Sequence, residues 1–96
     1  MNNNGQHADI PALYELIAKI KTAEEAKDVF DDLCTVGEVV AMAQRLKAAK
    51  LLIEGKTYDQ VIAETEISSA TLSRVSKCVK YGKGYNKFLS REGETE

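Results

Sequence analysis

Seven consecutive residues, Ser68-Ser69-Ala70-Thr71-Leu72-Ser73-Arg74, set four hydroxyls and a guanidinium within two helical turns. Lys77, Lys80, Lys83 and Lys87 follow, and no acid lies between Ile67 and Phe88. If the run is helical, Leu72, Val75 and Val79 take one face. Ser68, Ser69, Ala70, Thr71 and Ser73 then fall on the other, where short hydroxyls and methyls can meet base edges in a major groove. Arg74 and Lys77 reach phosphates or a guanine edge from there, and Lys80 neutralises phosphate beyond them. A plainer reading of the same residues is a solvated cationic helix with Ser and Thr as caps.

Other chemistry has little support. His7 is the only histidine, and Cys34 and Cys78 have no histidine at an informative spacing. Asp31-Asp32 and Glu24-Glu25 fit solvated helix faces and match no metal or phosphate-loop motif. No catalytic residue, cofactor or metal is therefore expected. Two distant cysteines in a chain of 96 residues suit reduced thiols and a cytoplasmic setting better than a disulfide scaffold. The start MNNNGQHADI is not a signal peptide, and no apolar run approaches the ~20 residues of a membrane span.

The net charge of −2 conceals an asymmetry. Residues 1–40 carry three Lys/Arg against eight Asp/Glu, residues 41–88 nine against four, and residues 89–96 one against three. The local sign, not the average, is what a phosphate meets.

The elements that must position these groups are helices. One Pro and six Gly leave few breakers, and Ala, Leu, Lys and Glu favour helix. A first helix is expected from Pro11, with Leu13, Leu16, Ile17 and Ile20 at helical spacing. Thr22 and Glu25 then form a capping signature before a helix with Ala26, Val29, Phe30 and Leu33 inward. Thr35 and Glu38 repeat it before a long stripe of Val36, Val39, Val40, Ala43, Leu46 and Ala49 or Lys50, running on to Leu52 and Ile53 and stopped by Gly55. Thr57 and Gln60 open a short fourth helix, and a fifth ends near Gly82. A last helical piece carries Tyr85 and Phe88. The expectation is an all-α chain of six helices: a flexible arm at 1–9, one helical DNA-binding and dimerisation domain at 10–90, and a disordered tail at 91–96.

Two short helices across a tight turn, with basic and hydroxyl residues on the second, make a helix-turn-helix over about 57–81. Ala63 is expected at the helix crossing, Ile67 as the plug in the turn, and Lys56 and Tyr58 as further DNA contacts at the start of the first helix. The turn is one residue shorter than usual and lacks the customary glycine.

At these residues the chain resembles the Trp repressor family, in particular the YerC/YecD-type Trp-repressor-related proteins. The likeness runs from about Leu13 to Phe88. It is most specific at Leu33-Cys34-Thr35, Gln44-Arg45-Leu46, Ile53-Glu54-Gly55 and Ala70-Thr71-Leu72-Ser73-Arg74. It implies a six-helix, intertwined homodimer whose fourth and fifth helices read operator DNA. It also implies an effector site at Thr35, Arg45, Arg74 and Cys78. The family's tryptophan pocket has glycine and serine where this chain has Val75 and Cys78. A branched side chain fills space that an indole needs, and a thiol is a weak hydrogen-bond partner, so tryptophan is not expected as the effector. The function expected is a DNA-binding transcriptional repressor. The alternative is a helical protein–protein adaptor using the third helix or Tyr81, Tyr85 and Phe88.

Overall fold

The computed structural model describes residues 3–89, so the tail expected at 91–96 lies outside the described residues. Among those described, every regular element is helical: α1 (Asn3–Ala18), α2 (Ala23–Leu33), α3 (Val36–Ile53), α4 (Tyr58–Thr65), α5 (Ser69–Tyr81) and α6 (Gly84–Phe88). The chain divides into two compact units, Met1–Val36 and Gly37–Glu96.

In the first unit, α1 starts eight residues ahead of Pro11, which stands inside the helix. Pro11 lacks the N–H that would reach the His7 carbonyl and its ring crowds that carbonyl; residues 7–10 are exposed, so water can take the missing partner's place. Residues 3–9, expected as an arm, are therefore helical. The helix closes with tightened bonds from Lys19 N to Leu16 O at 3.0 Å and Ile20 N to Ile17 O at 3.1 Å. Thr22 caps α2 as its spacing predicts, accepting from Glu25 N at 3.0 Å. Glu25 reaches back to Lys21 N at 2.9 Å, one residue further than a standard capping box. On the solvent side Lys27 donates to Asp31 at 2.7 Å, which raises the lysine's pKa. That fully exposed pair carries little stability.

The second unit holds the core: Ala48, Ala49, Leu51, Val61, Ile67, Leu72 and Val75. Here α3 departs from the expected stripe. Val36, Val40, Ala43 and Leu46 are exposed; Ala49, expected in the stripe, is buried, and Ala48 and Leu51 are buried with it near the helix end. Ala48 and Ala49 have no exposed surface and belong to the same buried cluster as Val61 of α4 and Leu72 and Val75 of α5. Gly55 ends α3 in the left-handed region at φ 97°. Lys56 N bonds to Leu51 O and Gly55 N to Leu52 O, each at 3.0 Å, which is a Schellman motif. Thr57 opens α4 with a complete capping box to Gln60.

Across the turn, Ala63 is exposed and does not mark the crossing. Its period puts it on the outer side, and Val61 and Thr65 are the buried positions of α4. Buried Thr65 satisfies its hydroxyl by donating to Val61 O at 2.7 Å. Ile67 plugs into the core as expected, 8% exposed. The conformation for which a glycine is customary falls on Glu66, whose φ is 62°. An L-residue there costs about 1–2 kcal/mol through its Cβ. Glu66 is exposed and its side chain makes no hydrogen bond or ion pair with a described residue. Glu66→Gly should therefore stabilise the protein by about 0.5–1 kcal/mol after the entropy that glycine loses on folding. Glu66→Val should destabilise it by about 1 kcal/mol, both read from urea denaturation midpoints.

Candidate nucleic-acid interface

The helix that carries the hydroxyl and basic residues is set by its own buried side. Leu72 and Val75 are 0% and 2% exposed, and Ser76 is buried beside them. With half-buried Val79 they follow the i, i+3, i+4, i+7 spacing of one helical face. Full burial of Leu72 and of Val75 is worth about 1.5–3 kcal/mol each, so α5 cannot rotate about its axis without exposing them. The opposite face is thereby fixed outward. Ser69, Ala70, Ser73, Arg74, Lys77 and Lys80 are all exposed.

Ser68 caps the start of α5. Its hydroxyl accepts from Thr71 N at 3.1 Å and donates to Thr71 Oγ1 at 3.0 Å. Thr71 is half-buried, so part of its polar capacity serves the cap and not the surface. Ala70, Ser73, Arg74 and Lys77 line one shallow concavity beyond it. These four are the expected contacts that the fold brings to a single spot. Lys80 stands further along the same helix. Lys56 precedes α4 and Tyr58 begins it, both exposed.

No acid neutralises this surface. Arg74, Lys77, Lys80, Lys83 and Lys87 are exposed, and none pairs with a described carboxylate. α5 has no acidic residue in its first turn and Lys80 in its last. An uncompensated row of cations beside short hydroxyls is chemically suited to a phosphate backbone with base edges between its strands.

The residues implied for an effector are distributed differently. Thr35 belongs to the first unit. Arg45 is half-buried on α3, and Arg74 is exposed on α5. Cys78 lines another concavity, with Gly82, Gly84, Tyr85 and Phe88, not the one that Arg74 lines. Val75 points its methyls into the core. Of the three aromatics at this end, Tyr81 and Phe88 are each 81% exposed and Tyr85 is packed against the core.

Two participants were not legible from spacing. Ser76 is a polar residue on the inner face of α5 and is buried there. Asn86 donates to Val79 O and Gly82 O, each at 2.8 Å, and so ties α6 to the end of α5. An asparagine four residues after a helix-ending glycine was the available signal.

The family model described as Trp repressor protein matches residues 8–93. A Bacillus subtilis (strain 168) protein described as uncharacterized protein YerC is 44% identical over 89 residues, covering 92% of this chain and 86% of that protein. The crystal structure of a TrpR-like protein from Eubacterium eligens ATCC 27750 superposes with a TM-score of 0.81 at 36% identity, covering 99% of both chains. Six helices in this order, with a basic hydroxyl-bearing fifth helix, are thus accompanied by similarity along nearly the whole sequence. The chain belongs to the Trp repressor family, a family of DNA-binding regulators.

Proposed function

We propose that this protein is a sequence-specific transcriptional repressor that binds duplex operator DNA in the major groove as a cytoplasmic homodimer. One observation carries the reading: the outer face of α5 joins Ser69, Ala70 and Ser73 to Arg74, Lys77 and Lys80 with no acid partner, while its inner face is locked in the core. The hydroxyls and Ala70 are short enough to approach base edges, directly or through water, and set sequence preference. The cations supply affinity in general, joined by Lys56 and Tyr58 at the start of α4 and by Ser68 and Thr71 at the start of α5. Family membership points the same way.

The homodimer follows from surplus apolar surface. Ile10, Leu13, Tyr14, Leu16 and Ile17 on α1 and Val36, Val40 and Leu46 on α3 are exposed in the single chain. Small monomers rarely leave that much uncovered, and a second copy related by a two-fold axis covers it with one self-complementary patch. Two reading helices related in this way match an operator with two-fold symmetry. The resemblance implies Thr35, Arg45, Arg74 and Cys78 for an effector, and of these the two arginines of the second unit suit a carboxylate. Tryptophan does not suit it, because Val75 occupies volume beside Arg74 and Cys78 offers a weak partner.

Selection from random duplex DNA should recover a palindromic site. Arg74→Ala should weaken binding to that site by about 5–150-fold, equivalent to ~1–3 kcal/mol. Lys21→Ala, in the acidic half, should leave it unchanged, and equal losses in two folded variants would count against the assignment. Binding should fall steeply with added salt, whereas apolar docking of an adaptor would not. Sedimentation at micromolar concentration should give a dimer, and a stable 10.6 kDa monomer would contradict it. L-Tryptophan should not act as a strong corepressor, as read by calorimetry followed by operator titration with and without it. Micromolar binding that tightens the operator complex more than about tenfold would show that Val75 is accommodated.

A further inference from the structure

The far end of α5 is held by a side chain that the proposed reading surface does not use. Asn86 gives one amide hydrogen to the carbonyl of Val79 and the other to that of Gly82, each at 2.8 Å. Only the amide nitrogen can donate to two carbonyl oxygens, so the network fixes which way the group points. The Val79 carbonyl is one of those left without a partner at a helix end. Lysine often serves such carbonyls. Here a neutral amide does so, and Lys80, Lys83 and Lys87 remain exposed with no described acid beside them.

The helix that carries Asn86 could not persist by itself. α6 has five residues, far below the ~12–15 at which an isolated helix becomes even marginal. Tyr85 and Leu89 pack it against the core, and Asn86 adds the polar tie to α5. The joint is close-built: a Cβ at Gly82 would stand 2.6 Å from the Cys78 carbonyl oxygen. Lys83 sits at the N-cap of α6 with no side-chain capping bond, and Lys87 lies in its last turn.

We infer that Asn86 is a positioning residue that extends the DNA footprint from α5 onto α6, so that Lys83 and Lys87 neutralise phosphates flanking the bases read by α5. The inference rests on the DNA-binding function proposed above. Held by Asn86, the two lysines meet the backbone already placed, and less ordering is left to be lost on binding. Without the tie they are tethered charges with no fixed phosphate opposite them. Their contribution is independent of sequence, because phosphate contacts position a protein without reading bases.

The test uses the full-length protein and its selected operator, titrated over a series of salt concentrations. Lys83→Ala with Lys87→Ala should reduce the steepness of the salt dependence by about 0.9 in log–log slope per lost contact. Asn86→Ala, in protein that remains helical, should reduce the slope nearly as much and leave the selected sequence unchanged. Asn86→Gln, which keeps both donors, should recover most of the loss. A merely structural Asn86 would lower the melting temperature at an unchanged slope, which would overturn the inference. So would a wild-type slope in the double lysine variant, whose exposed substitutions leave the core intact. Failure of the wild-type protein to bind any duplex would instead remove the DNA-binding reading itself.

Discussion

Leu72 and Val75 are buried in one cluster with Ala48, Ala49, Leu51, Val61 and Ile67, and the other features of the C-terminal unit depend on that burial. It fixes the rotation of α5 about its axis. With rotation fixed, the direction of every other side chain on the helix is fixed as well, so Arg74 and Lys77 face solvent without any polar interaction holding them there. The two alanines matter as much as the larger residues. Both are fully buried in the same cluster, where a larger side chain would have to displace a neighbour.

Polar interactions set the ends of the helices rather than their orientation. The Schellman turn at Gly55, the capping box at Thr57, the left-handed Glu66 and the Ser68 cap follow one another within fourteen residues. Each satisfies backbone groups that a helix end leaves open. Together they let α4 and α5 be short and still begin and end at defined residues. Glu66 shows that the fold tolerates a side chain in the left-handed region when the turn must be brief. Asn86 performs the corresponding task at the far end of α5, where no described backbone donor reaches the Val79 carbonyl.

Charge is divided along the chain. Residues 1–40 hold eight Asp/Glu against three Lys/Arg and residues 41–88 four against nine, and no described carboxylate pairs with the cations of α5. The apolar residues left exposed on α1 and on the first half of α3 stand apart from the basic face of α5 in sequence. A self-associating surface and an anion-seeking surface can in this way occupy one small chain without competing for the same residues.

Local chemistry, and with it the sequence alone, determined most of the helix boundaries. Thr22, Gly55, Thr57, Ser68 and Gly82 act through backbone groups at most five residues away, so their spacing suffices. The inward set Ile67, Leu72, Val75 and Val79 was likewise legible, because a single helical face was available to it. Tertiary structure decided what periodicity leaves degenerate. The stripe on α3 is apolar around most of its circumference, and only the approach of α4 and α5 selects Ala48, Ala49 and Leu51 for burial. Ala63, expected at the helix crossing, is exposed: a small residue carries too weak a preference for water or core to reveal its side by type alone.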